Sequence, residues 1–534
     1  MEETQVVIVG AGPAGLCLGL TLAKLRVKSV ILEKETEITT DPRGVYLTGD
    51  AVRILHDLGL GPEIAEIGHE VNKCNFHSSS FSTKPFHALN IGTSYTLQQV
   101  VPESLLQMQP RLDGKTGIVR KHFLEQSAGI RQEEGLYPYQ GTWIAANLKM
   151  TLPTPQTHPG FPLWKMGYST EEVYDLFWPA GWHFCGPPGK PTAAGRFGPH
   201  SERTWRHELR QEDWDDSMDA EQLLWEHLMP MITLDRDLNG RRFPRAVQYP
   251  RDCINILRCR PFRFTHKVVN KWFHKRTILI GDAAHVFPPF AGQGIGSGMR
   301  DAHQLAWRLA LLLGSDVPES SRVGILQAWA LERRKSVDDA ALFSMLNGRM
   351  CNDKPPFWLY ALLRFQVWVD SIPFLPNFPD PQGYKEREAF TTVEGGAGSI
   401  LTLLVISSGT EHGRLYEDAR AAISATGIGP VLLSEDSIVA YNPRVGSACR
   451  VKTSTGDEVE VYSPAPRSEI HGRLVSGYDE RAFVNRLGGS TRFAIVRPDL
   501  FVFACAKDVG ELVQCLALLR ERVGDVKGKL DGMM

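Results

Sequence analysis

The sequence predicts an α/β protein in three parts: an N-terminal dinucleotide-binding layer, an inserted sheet-rich domain, and a C-terminal α/β unit. Three observations carry this. A buried-type strand, Val6–Val9, runs through GAGPAG into an apolar helix at Pro13–Leu25 and a second strand at Val30–Leu32, which makes a βαβ unit. From about Thr142 to Arg251, short strands, loops such as GPPGKP and many Trp, Pro and His replace the helical periodicity. After residue 400 the order becomes strand (Leu401–Ile406), helix (Glu411–Thr426), strand (Val431–Leu433), then strands RFAIVRP and LFVFACA and helix Val509–Val523.

Between these parts lie further elements. A helix is expected around Gly49–Leu58, a strand in RTILIGD (276–282), and a helix at Met299–Leu313. The polar, Gly-rich stretch 380–399 reads as a linker. The expected division is 1–141 and 253–350 for the dinucleotide layer, 142–252 for the sheet domain, 351–399 for a helical segment and linker, and 400–534 for the tail. The tail's order resembles that of a thioredoxin-like domain.

Composition narrows the function classes. The chain has 534 residues, 43% apolar and 22% charged, with a formal net charge of −2. No basic excess points to nucleic acid or an anionic membrane. Nine cysteines without a CxxC pair argue against a disulfide framework and for a reducing compartment, so a cytoplasmic location is expected. No secretory signal and no membrane span are expected. The apolar run FWLYALLRFQVWV (357–369) is broken by Arg364 and reads as a packed helix. No metal site is expected.

Two motifs carry chemistry. Gly10, Gly12 and Gly15 stand in GxGxxG register between strand and helix. The first permits the tight turn, the second lets backbone approach a pyrophosphate, and the third lets the helix close on the sheet. Glu33 ends the second strand, where a carboxylate accepts from ribose hydroxyls. These features define a Rossmann-type site without separating FAD from NAD.

The second motif is GDAAHVFPPFAGQGIGSG (281–298). Asp282 ends a strand and suits ribityl hydroxyls. Glycines at 292, 294, 296 and 298 are expected to bare a backbone surface at a helix N-terminus, whose partial positive charge suits the edge of a flavin that becomes anionic on reduction.

GAGPAGL and GDAAHxxPPxxGQG together resemble the FAD-dependent aromatic-ring hydroxylases, the single-component flavoprotein monooxygenases similar to 4-hydroxybenzoate and phenol hydroxylases. The resemblance covers most of the chain. It implies FAD as cofactor, NADPH or NADH as co-substrate, and O₂. Hydroxylation of a phenolic or other electron-rich aromatic then proceeds through a flavin C4a-hydroperoxide. It also assigns cofactor contacts to Arg43, Gln109, Asp113 and Arg120, and to Pro289, Gly292, Gln293, Gly294 and Ile295. Tyr46 and Pro289 lie beside the reacting ring on this basis. His183 is a looser candidate base, with a satisfied structural histidine as its alternative, and Trp178 and Trp182 are either core or pocket. The tail resembles that of phenol hydroxylases and implies a structural or homodimer role.

The chain departs from the family at two places. Gly296 stands where asparagine is usual. QPRL also runs straight into DGKTG, so a helix and strands that separate these motifs in the family are missing near residues 112–113. A direct splice there is expected to uncover apolar surface on the parallel sheet and to weaken FAD binding. A flavin oxidase, a Baeyer–Villiger-type oxygenase and a non-catalytic FAD-binding protein are the alternatives on the same scaffold.

Overall fold

The computed structural model describes residues 3–35, 44–97, 128–186, 190–314, 317, 319–352, 356–370, 399–409, 411–464, 482–499 and 501–523. Its first unit is the expected βαβ. Strand β1 (Val6–Val9) pairs in parallel with β2 (Ser29–Leu32), and α1 (Pro13–Lys24) connects them. Ile8, Leu16, Leu22 and Ile31 point into a core shared with α6 (Gln293–Gly314) and α7 (Glu319–Asn352).

The edge of β1 away from β2 is unpaired among the described residues. Val6 N and Gly10 N donate to Lys28 O and Leu32 O, so the intervening amides of Val7 and Val9 point away from β2. Among the described residues no other strand pairs with β1, and Val7 and Val9 are 54% and 63% exposed. Val7 and Val9 line the large cleft; the junction near 112–113, expected to uncover apolar surface, lies outside the described residues. The expected strand RTILIGD is short. It forms the hairpin β15 (Phe273–His274)–β16 (Thr277–Ile278) and then turns at Gly281.

The sheet domain is larger than its predicted 142–252. Eight strands lie in the order β13 (Ile254–Thr265), β7 (Gln140–Met150), β10 (Thr204–Arg210), β9 (Thr192–Phe197), β8 (Trp182–Cys185), β4 (Gly68–His77), β5 (His87–Leu97), β3 (Tyr46–Leu47). Thus β3–β5 and β13 belong to it, although sequence order placed them in the dinucleotide layer. Their pairing is non-local, and period-2 patterning identifies a strand without its partner. One face packs Ile144, Leu148, Trp178 and Trp205 against α4 (Thr170–Phe177) and α5 (Ala220–Met231); the opposite face carries Trp143, Cys74, Trp182 and Phe184. Ser169 caps α4 in a capping box with Glu172.

In the tail, β18 (Thr402–Ile406) pairs in parallel with β19 (Ile438–Tyr441) across α9 (His412–Thr426), and antiparallel β22 (Phe493–Val496) and β23 (Val502–Ala506) follow, closed by α11 (Val509–Val523). Val431–Leu433, expected as a strand, is a buried turn, because three apolar residues fill a core equally well without a ladder. Trp307 and Leu311 of α6 sit in the tail's own core, and Trp307 Nε1 donates to Asp499 at 3.2 Å. The tail is therefore packed into the first domain. Helix α8 (Phe357–Asp370) packs through Tyr360 and Leu363 but exposes Phe357, Trp358, Leu362 and Phe365. Among the described residues no helix is long and apolar enough to cross a membrane.

The sheet domain buries neutral imidazoles. Burial pushes His183 and His227 down to about 4 and His77 down to about 3. These groups bind protons more readily when unfolded, so stability is lost as pH falls from about 6.5 toward 4. Urea unfolding followed by tryptophan fluorescence should give a clearly lower midpoint at pH 5 than at pH 7.5; equal midpoints would show these rings are accessible.

Candidate active site

The glycine turn has the geometry its spacing predicts. Gly10 has φ +104°, a conformation that favours glycine. A Cβ on Gly15 would lie 2.1 Å from Gly10 O, so the third glycine is what lets α1 close on β1. A Cβ on Gly12 meets nothing within 4 Å, and Gly12 caps α1 with Pro13 in its first turn. Its backbone is open to a cleft at a helix N-terminus. Glu33 reaches back to this turn: its Oε2 accepts from Ala11 N at 2.5 Å, and Oε1 accepts from Lys34 N and Glu35 N. Burial alone would raise this carboxyl, but the three backbone donors outweigh it and hold it below the usual value.

The second motif divides its glycines between two tasks, which corrects the expectation that all four bare a surface. Only Gly294 opens onto free space. A Cβ on Gly292 (φ +57°) would lie 2.4 Å from Tyr46 Cδ1, one on Gly296 2.9 Å from Thr48 Oγ1, and one on Gly298 3.1 Å from Ala14 Cβ. These three let α6 press against β3, α2 (Gly49–Asp57) and α1. Gln293 is also taken up within the wall. Its Oε1 accepts from both Arg300 Nη1 and Nη2 at 3.1 Å, while Arg300 pairs with Asp50.

A buried carboxylate fixes the turn. Asp301 Oδ2 accepts from Gly281 N at 2.8 Å and lies 2.7 Å from His285 Nε2, while Oδ1 accepts from Arg333 Nε at 2.6 Å. All three side chains are fully buried. Burial alone would raise the Asp301 carboxyl; His285 and the Arg333 guanidinium outweigh it and hold it low.

These elements line one cleft of about 2420 Å³, larger than an ordinary small-molecule pocket. Gly10, Gly12, Asp282, Gly292, Gln293, Gly294 and Ile295 border it, with Tyr46, Trp182 and Phe184 forming the aromatic wall. The Tyr46 and Trp182 rings are 6.4 Å apart. Pro289 opens the turn just before Gly292. Arg43, Gln109, Asp113 and Arg120 lie outside the described residues.

His183 is corrected. Alternation along β8 sends Trp182 and Phe184 to the cleft and His183 to the other face, where it meets His77 at 3.1 Å and Pro179 O at 3.3 Å. It is a satisfied core histidine, as Trp178 is a core tryptophan. Sequence reasoning missed Asp301, Arg333 and Arg300; the charged pair in GMRD, inside an otherwise apolar helix, was the available signal. Away from the cleft, His158 Nε2 lies 3.2 Å from Asp252 Oδ2 and 3.8 Å from Cys253 Sγ, a gathering of three ligand-type groups absent from the sequence reading.

A bared turn on one helix N-terminus, a second at α6, and an aromatic wall define a protein that binds a dinucleotide against a ring-shaped partner. Residues 3–129 and 235–341 match the family described as FAD binding domain. The open cradle at Gly12 and Gly294 fits such a group. The chain is 22% identical over 579 aligned positions to the 3-(3-hydroxy-phenyl)propionate/3-hydroxycinnamic acid hydroxylase of Escherichia coli O8 (strain IAI1), covering 97% of this chain and 96% of that one. The Klebsiella pneumoniae enzyme of the same name is 24% identical over 574 positions, covering 95% and 92%. Both alignments are longer than the 534 residues here, so these relatives carry residues this chain lacks. The fold matches aklavinone-11 hydroxylase solved with FAD and aklavinone (TM-score 0.60, 16% identity, 98% and 99% coverage) and the flavin-dependent monooxygenase PieE solved with FAD and substrate (TM-score 0.62, 16% identity, 97% and 99% coverage).

Two alanine substitutions separate the glycine roles. Gly15→Ala, forced against Gly10 O, should unfold the first domain, whereas Gly12→Ala should keep the wild-type melting temperature and bind FAD about tenfold or more weakly. Equal FAD affinity for Gly12→Ala and wild type would remove Gly12 from the phosphate site.

Proposed function

We propose that this chain is an FAD-dependent monooxygenase that hydroxylates a phenolic or other electron-rich aromatic ring with NAD(P)H and O₂. The observation that supports it best is the continuity of one cleft from the glycine turn at α1, past the start of α6, to the aromatic wall of the sheet. The names of the relatives agree with this reading.

A bound flavin, once reduced by NAD(P)H, supplies the means of activating O₂ and passing one oxygen atom to the ring. This chain's residues do the rest. Gly12 and the N-terminus of α1 would hold the pyrophosphate, with Glu33 bracing the turn from behind; Asp282 and the backbone at Gly292–Gly294 would hold the flavin end. Tyr46 and Trp182 flank the space for the substrate ring, and Phe184 and Phe290 keep water from it. Arg43, Gln109, Asp113 and Arg120 remain proposed cofactor contacts. No second GxGxxG fingerprint appears in the sequence, so we take NAD(P)H to bind transiently on the same cleft.

We read the tail as a thioredoxin-like unit without redox chemistry, because its sequence has no CxxC. We propose that it supports a homodimer, which light scattering of the full chain tests. The direct junction of QPRL and DGKTG near residues 112–113 leads us to expect less than one FAD per chain as purified.

Denaturation should release non-covalent FAD, and Asp282→Ala should weaken its binding by about 1–3 kcal/mol through loss of a charge-assisted hydrogen bond. A panel of phenols should then stimulate NAD(P)H oxidation with one oxygen atom added to the ring. Recovery of NAD, or no cofactor after reconstitution, contradicts the flavin assignment. Reduced O₂ without product oxygenation favours the oxidase alternative, oxygen inserted beside a ketone favours the Baeyer–Villiger one, and bound FAD with no turnover favours the non-catalytic one.

A further inference from the structure

One corner of the eight-stranded sheet ends in a cluster that the cleft does not use. The ladder between β7 and β13 closes with Met150 opposite Ile254, and Thr151 N donates to Cys253 O at 2.9 Å just past it. Beyond that point the chain leaving β7 makes a turn in which His158 N donates to Thr154 O at 2.8 Å, and the single turn Arg251–Cys253 leads into β13. His158, Asp252 and Cys253 meet there, although 94 residues separate the histidine from the aspartate. None of the three borders the cleft.

The spacing of the three ligand-type atoms is that of one coordination shell. His158 Nε2 lies 3.2 Å from Asp252 Oδ2 and 3.8 Å from Cys253 Sγ, and all three atoms lie within 4.8 Å of one another. Bonds of about 2.0–2.2 Å to nitrogen and oxygen and about 2.3 Å to sulfur, opened to the tetrahedral angle, put neighbouring ligand atoms about 3.3–3.6 Å apart. The observed spacings bracket these, so a small rotation of the exposed Asp252 side chain closes the shell. The backbone already holds the other two ligands. The His158 carbonyl accepts from Trp164 Nε1 at 2.8 Å, and Cys253 N donates to Pro250 O at 3.1 Å.

Thr157 Oγ1 sets which imidazole nitrogen faces the cluster. It lies 2.9 Å from His158 Nδ1 and accepts from Thr154 N at 3.0 Å, with Thr154 O and Oγ1 in reach of its own hydrogen. A hydroxyl has two lone pairs, so the second receives Nδ1–H, and Nε2 turns a bare lone pair toward a carboxylate and a thiol. Three electron-rich atoms facing one another repel; a cation among them makes all three ligands. Donation of the other ring N–H is also how metal-ligating histidines are commonly oriented.

We propose that His158, Asp252 and Cys253 form a Zn²⁺ site, with water in the fourth position on the exposed Asp252 side. One imidazole nitrogen, one thiolate sulfur and one carboxylate oxygen suit zinc, whereas magnesium and calcium take oxygen ligands. Cys253 gives up its thiol proton to solvent as the metal binds. The ion ties the 154–158 turn to the start of β13 and so fixes this corner of the sheet domain. It stands outside the cleft and takes no part in the chemistry proposed there, so the site holds whether or not the hydroxylase reading does.

The test uses the untagged full chain, treated with a chelator and dialysed, with Cys449 and Cys505 replaced by serine because both are exposed. After addition of Zn²⁺ and gel filtration, about one zinc per chain should remain by elemental analysis, and X-ray absorption at the zinc edge should show a sulfur neighbour at about 2.3 Å. Zn²⁺ should raise the melting temperature, and Mg²⁺ at the same concentration should not. Asp252→Asn alters only an exposed side chain, so it should melt close to the metal-free parent while binding Zn²⁺ about tenfold or more weakly. His158→Ala and Cys253→Ser, checked for native fold by circular dichroism, should each lose the retained metal. Zinc that does not stay bound, a zinc edge without sulfur, equal stabilisation by Mg²⁺, or zinc affinity unchanged in any of the three variants overturns the proposal.

Discussion

The site depends on the carboxylate of Asp301. It sits without solvent between His285 and Arg333 and accepts the backbone N–H of Gly281, where the chain turns at φ +59°. A charge buried this deeply is tolerable only because it is paired and fully hydrogen-bonded. The same bonds tie three distant segments together: the end of the strand leading into GDAAH, the first turns of α6, and α7. Every backbone group proposed to meet the flavin lies within this clamped stretch. Removing one member of such a buried pair typically costs about 3–5 kcal/mol, which is large against the stability of a domain.

Around this clamp the glycines show why the motif gives up so many side chains. Most of the loss is for packing. Gly281 and Gly298 meet at Ala14, Gly292 receives Tyr46, and Gly296 receives Thr48, so two helices and the sheet can converge on one point. Gly12 and Gly294 alone among those in the two motifs, apart from the strained turn at Gly10, face open space where a ligand could lie. The close approach of protein to protein thus creates the bare surface offered to the cofactor. It also sets Tyr46 and Trp182 at a fixed height over that surface, because Tyr46 is held on Gly292 by contact.

Local features were legible in the sequence. GxGxxG, its strand, its helix and Glu33 occupy consecutive residues, and their geometry follows from spacing. The start of α6 and the aromatic character of the insertion were also readable. What escaped was non-local. Strands β4, β5 and β13 join a sheet whose other members lie far along the chain, and nothing in their alternation names the partner. Asp301 and Arg333 lie 32 residues apart on successive helices, so their pairing had no local signature. His183 illustrates a signal available but unused: in Trp-His-Phe, a period of two already places the histidine opposite the two cleft aromatics. The junction near 112–113, where two motifs stand close together in the sequence, lies outside the described residues.

On this reading the buried Asp301 clamp, rather than the glycines alone, shapes the end of the cleft proposed to hold the flavin. The most direct measurement is FAD titration of Asp301→Asn beside the wild type, with thermal unfolding followed on the same samples. Asparagine keeps the shape but leaves Arg333 buried without its counter-charge. Asp301→Asn should show a marked fall in melting temperature and lose most FAD affinity, with the far-face core of the sheet domain still giving its native tryptophan signal. An Asp301→Asn protein that melts with the wild type and binds FAD equally well would contradict it.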